Sequence, residues 1–102
     1  MARPREELHS ILVNLLDGYD CYFQPPDEIY LTYPCIVYDL ANENVNYANN
    51  ARYNTMKRYE ITVMDEDPDS EIPEKVGNLP YASFVRHYSQ ENLHHFVYEI
   101  FF

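Results

Sequence analysis

Residues 59–81 read YEITVMDEDPDSEIPEKVGNLPY, and the rest of the chain is arranged around them. Tyr59, Ile61 and Val63 alternate with Glu60, Thr62 and Met64, the period of a pleated strand that buries one face. Asp65, Glu66, Asp67, Pro68, Asp69 and Ser70 then stop the strand. Their side-chain oxygens accept orphan backbone N–H groups, and their negative charge suits the positive end of a helix dipole. A short helix is predicted next, because Ile72, Val76 and Leu79 fall at helical spacing and Pro73 is tolerated only in a first turn. Gly77 and Pro80 mark its far end.

Upstream, YPCIVYDL (Tyr33 to Leu40) predicts a second strand, opened by Pro34, with Ile36, Tyr38 and Leu40 on one face and Cys35 and Val37 on the other. Apolar residues on both faces imply that both are covered. Between the two strands lies ANENVNYANNARYN, residues 41–54. Asn tolerates left-handed backbone and bonds its own main chain, which places a turn near Asn49 and Asn50 and makes the whole a long polar hairpin. Its outer half, 43–54, is too polar to own a core. It reads either as a surface loop or as an arm that orders against a neighbouring subunit. On the second reading Glu43, Asn44, Val45, Asn46, Tyr47, Asn49, Asn50, Arg52 and Tyr53 are the candidate interface residues.

At the N-terminal end, Arg3 to Asp17 predicts a helix in which Leu8, Ile11, Leu12, Leu15 and Leu16 form one apolar stripe, Pro4 suits the first turn and Gly18 takes the left-handed stop. His9 falls on its polar, solvated side. Residues 19–32 are irregular: Pro25 and Pro26 make a bend between short extended pieces around Cys21 to Phe23 and Ile29 to Leu31. Downstream, Ala82 to Tyr88 predicts a strand, Ser89 to Leu93 a turn, and His94 to Phe102 a last strand. That strand buries Phe96, Tyr98, Ile100 and Phe102 and turns Val97, Glu99 and Phe101 away. The order of elements predicts one α+β domain over residues 1–102, an antiparallel sheet of about four strands with the N-terminal helix packed on one face. The second helix covers an edge or that same face.

Composition narrows the function. A net charge of −10 with only seven scattered Lys and Arg argues against free nucleic acid as a ligand. Eleven Tyr and five Phe supply the side chains enriched where surfaces are buried against partners. Cys21 and Cys35 have no CxxC spacing and read as reduced, largely buried thiols. No apolar signal-peptide core follows Arg3 and Arg5, and no apolar run spans a bilayer, so synthesis in the cytoplasm and no membrane contact are expected.

No catalytic constellation emerges, which favours a protein that is not an enzyme. Asp65, Asp67, Asp69 and Glu71 alternate like calcium ligands, but a loop starting at Asp65 has Ser70 where glycine is needed and Val76 where glutamate is needed. They read as a solvated turn before a helix. His87 falls opposite His94 or His95 across the last hairpin, and with Glu91 such a set resembles a facial metal site. Consecutive His94 and His95 leave opposite faces of a strand, which weakens it. With Gly18 and Gly77 the only glycines, no phosphate-binding glycine loop exists, and no nucleophile sits in an elbow. No cofactor or metal is expected.

Taken together, YPCIVYDL, the polar hairpin, RYEITVMDEDPDSEIPEKVGNLP (Arg58 to Pro80), FVRHY (Phe84 to Tyr88) and NLHHFVYEIFF (Asn92 to Phe102) resemble the tail terminator or tail-completion proteins of long-tailed bacteriophages. The likeness lies in the order of elements and in the phrase strand, D-x-D-P-D-S, short helix, final hairpin. Neighbouring neck and minor tail proteins share that architecture. The resemblance implies a virion protein of the tail or neck, assembled in the host cytoplasm. It implies a homo-oligomeric ring, commonly of six subunits, that ends polymerisation of the tail tube protein and meets the head–tail connector or neck protein. Genomic DNA would pass through the lumen without specific binding. Six copies at −10 carry about −60 in all, a field that repels phosphates rather than holding them. A second reading, from another class, is a monomeric acidic binding module such as a DNA mimic or inhibitor, and a third is a metal-dependent enzyme built on His87, His94 and His95.

Overall fold

The computed structural model describes residues 4–16, 18–25, 31–42 and 57–102. The chain forms α1 (Arg5–Leu16), β1 (Asp20–Phe23), β2 (Cys35–Asn42), β3 (Arg58–Asp65), α2 (Ile72–Gly77), β4 (Ala82–Gln90) and β5 (Leu93–Phe101). The fold is α+β. The strands form one five-stranded sheet in the order β1-β2-β3-β5-β4.

Both helices lie on one face of the sheet. Leu8, Leu12 and Leu16 of α1 are buried with Ile72 and Val76 of α2 against Ile36, Tyr38, Ile61, Val63, Tyr98 and Ile100. Each such side chain taken out of water stabilises the fold by about 1.5–3 kcal/mol. The predicted stripe is therefore the helix face that packs, with Ile11 and Leu15 half-buried at its margins. Gly18 ends α1 at φ +103 with open space where a Cβ would stand, so its conformation and not its size is needed there.

The acidic segment after β3 uses its carboxylates locally. The Asp67 N–H donates to Asp65 Oδ1 at 3.0 Å, the Asp69 N–H to Asp67 Oδ1 at 2.9 Å, and the Ile72 N–H to Ser70 Oγ at 3.3 Å. These local turns reverse the chain into α2. Gly77 is the last residue of α2, and its backbone is not left-handed; a Cβ there would stand 3.1 Å from the Tyr98 ring. The predicted helix stop is thus a close approach between helix and sheet.

Three expectations about the sheet need correction. Among the described residues it has five strands and is mixed, because β1 joins the edge parallel to β2, pairing Asp20 with Cys35 through Phe23 with Tyr38. The short extended piece expected around Cys21 to Phe23 is this strand; its place in the sheet has no local sign and follows from the edge that β2 offers it. The last hairpin is tighter than expected: Gln90 pairs with Leu93, and the turn is Glu91 and Asn92, both at positive φ as a type I′ turn requires. Finally, the second face of β2 is not covered by a helix among the described residues. Cys35 is nonetheless buried beside Met64, and Val37 beside Thr62 is half-buried; on the same face of the sheet Val97 of β5, between Thr62 and Arg86, is 1% exposed. On the same face Arg58 and Glu99 form an ion pair at 3.2 Å, worth at most about 1 kcal/mol when partly exposed.

β2 and β3 pair antiparallel from Cys35–Met64 out to Asn42–Arg58, the base of the predicted hairpin. Its outer part lies outside the described residues.

Candidate assembly surface

One histidine reading changes once the side chains are placed. His9 is half-buried and partnered: its Nδ1 lies 2.7 Å from the Tyr38 hydroxyl, and that hydroxyl accepts a hydrogen bond from the Arg5 guanidinium at 3.1 Å. Tyr38 is fully buried, with Phe23 and Tyr59 rings 5.0 and 6.1 Å from its own. The Arg5 guanidinium stacks over Phe23 at 4.4 Å. One phenol thus ties the first turns of α1 to the sheet.

The three histidines of the last hairpin separate. His87 Nε2 and His94 Nδ1 are 3.1 Å apart, with the rings 14° from parallel. His95 leaves by the opposite face and stacks on Tyr88 at 4.5 Å and 9°. Glu91 sits in the turn at φ 53, exposed. Among the described residues no group of three His, Cys, Asp or Glu is placed to hold a metal ion.

The cause of the His87–His94 pairing is a bulge. Phe84 pairs with Tyr98 but Arg86 with Val97, so Val85 is an extra residue and every later side chain of β4 changes face. Phe84 and His87 thereby share the helix-bearing face, while Arg86 and Tyr88 share the other.

β4 is also the least covered element. Among the described residues it pairs only with β5 and forms one edge of the sheet. Tyr81 and Phe84 are 63% and 56% exposed, and Val85 and Tyr88 are exposed beside them. Tyr81 is held at φ 65, an unusual conformation for an aromatic residue, which projects its ring into solvent just before β4. Its neighbours Leu79, Pro80, Ile100 and Phe102, with Leu8 and Ile11 of α1, line an apolar groove of about 320 Å³. The segment Tyr81 to Gln90, YASFVRHYSQ, contains no Asp or Glu in a chain of net charge −10. The bulge at Val85 interrupts the regular pleat of this edge, which disfavours addition of a further strand there.

The candidate interface residues Glu43, Asn44, Val45, Asn46, Tyr47, Asn49, Asn50, Arg52 and Tyr53 lie outside the described residues. The exposed edge at β4 was not anticipated. Its signal was the run of ten residues without an acid, with aromatic residues at Tyr81, Phe84 and Tyr88.

Cys21 and Cys35 are free thiols on adjacent strands. Burial pushes the Cys35 thiol up to about 11 and the Cys21 thiol up to about 12, from 9.0. In the unfolded chain both ionise near pH 9, in the folded chain only near 11–12, so ionisation favours unfolding across that window. The thiol contribution is intact below about pH 9 and is lost as pH rises toward 11–12. The expected result is a denaturation midpoint that falls above pH 9, with a shallower fall in a Cys21→Ala, Cys35→Ala variant. Identical slopes would assign the effect elsewhere. Tyr38, Tyr59 and Tyr98, also raised by burial, leave a residual slope.

Among the described residues no helix is long and apolar enough to cross a membrane. No family model, no curated protein and no solved structure matches the chain.

Proposed function

We propose that this chain is a structural, ring-forming protein of the phage tail, of the terminator or tail-completion type, which ends the tail tube and joins it to the head connector. The observation that carries the reading is the β4 edge: exposed aromatic side chains on both faces of an edge strand free of acidic residues, in a molecule of net charge −10. Copies carrying −10 each repel one another over most of their surfaces, and association is favoured where that repulsion is weakest and apolar area is largest. Tyr81, Phe84, Val85 and Tyr88 meet both conditions, and the neighbouring copy of this chain is the partner we assign to them. The polar segment from Glu43 to Tyr53 serves as a second contact. Its sequence is too polar to own a core, so deleting Asn44 to Arg52 should leave a folded chain that no longer joins its neighbours.

The test is native mass over a wide concentration range, with negative-stain images at the upper end, on the wild type and on Phe84→Glu combined with Tyr88→Glu. Closed rings of one stoichiometry in the wild type, and a folded monomer in the variant, are expected. Both substituted side chains are exposed, so the fold survives their exchange. Rings that persist in the variant would remove β4 from the interface. A wild type that stays monomeric, and remains so when offered tail tubes, would overturn the ring and favour the acidic binding module.

A further inference from the structure

We infer that His87 and His94 form a two-imidazole site for a borderline divalent cation, Zn²⁺ or Cu²⁺. The inference stands apart from ring assembly and does not depend on it. Two nitrogens bound to one tetrahedral zinc at 2.0–2.1 Å lie about 3.3–3.4 Å apart. His87 Nε2 and His94 Nδ1 are already 3.1 Å apart. Separating them by a few tenths of an ångström, and turning both lone pairs toward a common point, needs only ring rotations about χ2, a torsion with a broad well.

The pair is built into stiff structure. Both residues belong to an antiparallel hairpin closed by the two-residue Glu91–Asn92 turn. Phe96 lies beneath them, 4.7 Å from the His87 ring and 6.2 Å from the His94 ring, so the rotamers that bring the imidazoles together are supported by packing. A preformed site spares the cation the entropy of ordering its ligands. The His87 ring is open to solvent, so a metal can enter and keep water at its remaining positions. Asp65 is the register partner of His94 on β3 and adds negative charge beside the site, and the net charge of −10 raises the local concentration of cations.

The chemistry of the donors selects the ion. Neutral imidazole suits Zn²⁺, Cu²⁺ and Ni²⁺, whereas Mg²⁺ and Ca²⁺ prefer oxygen ligands. Without metal, one ring donates its N–H to the other nitrogen. When the cation binds, the donor ring moves to its other tautomer, which places its proton on the nitrogen facing away and frees the lone pair. In this exchange the proton stays on the donor ring. His95 takes no part, because it lies on the opposite face against Tyr88.

The experiment is calorimetric titration of the full chain with Zn²⁺, for the wild type and for His87→Gln, His94→Gln and His95→Gln, with circular dichroism confirming that each variant is folded. The wild type and His95→Gln should bind one equivalent. Because the second imidazole acts intramolecularly, losing either partner should weaken binding on the order of 100-fold. Proton NMR of the wild type supplies a readout that needs no substitution: zinc should move the ring C–H signals of His87 and His94 and leave those of His95 in place. Absence of saturable zinc binding, or affinity unchanged in both His87→Gln and His94→Gln, would overturn the site.

Discussion

Ile61→Asp should leave no cooperatively folded protein under conditions where the wild type is folded. Ile61 is completely buried in β3, the central strand, with the core-facing residues of β2 and β5 on either side and the helices above. An aspartate there either buries an unpaired charge or takes up a proton and buries an unpartnered carboxylic acid. The cost is several kcal/mol in either form, on top of the apolar packing that the isoleucine supplied. A domain of this size has about 5–15 kcal/mol in total, so one such substitution consumes most or all of it. The measurement is chemical denaturation followed by circular dichroism, with the amide dispersion of a two-dimensional NMR spectrum as the structural readout. Ile61→Ala is the companion: it removes the same packing without adding a charge and should cost about 2–5 kcal/mol while leaving a two-state transition. Equal behaviour of the two variants would mean that packing, not charge burial, sets the effect.

Tyr38→Ala should be the next most damaging change, at about 3–5 kcal/mol, the range for truncating a large buried aromatic. Its ring fills the space between Phe23, Tyr59 and His9, and its hydroxyl meets Arg5 and His9. Tyr38→Phe separates the two contributions. It keeps the ring, strands two half-buried polar partners, and should cost about 1–3 kcal/mol. Because those partners both sit in the first turns of α1, the loss should be local as well as global. Amide exchange should accelerate over Arg5 to Ile11 before it does in β3 or β5. A uniform change in exchange across the chain would show that the phenol is a core side chain and not an anchor for the helix.

The two variants probe different levels of the same construction. Ile61 is one of the alternating apolar residues that make β3 a strand, and its burial follows from pattern alone. Tyr38 belongs to such a pattern too, but its pairing with Arg5 and His9 spans 33 and 29 residues of sequence and has no local signature. The same division separates the candidate surface from the core. An acid-free aromatic run is visible in YASFVRHYSQ, but that it forms the uncovered edge of a sheet depends on which strand ends up last in the order β1-β2-β3-β5-β4.

Local periodicity and turn chemistry were enough to define the leucine stripe of α1, the alternation of β3 and β5, the acidic turn and the short α2, and hence an α+β sandwich. These are short-range properties: a helix places every third or fourth residue on one face and a strand every second, so burial is written into spacing. Long-range pairing decided the rest. β1 has its place in the sheet because the edge of β2 is available to it in parallel register. The single extra residue at Val85 turns His87 toward His94 instead of His95, because a shift of one residue in a two-residue period exchanges the faces of everything beyond it. Spacing along the chain cannot contain that choice, since it is made by how β4 seats against β5, and with it comes the one pair of imidazoles, among the described residues, positioned to share a cation.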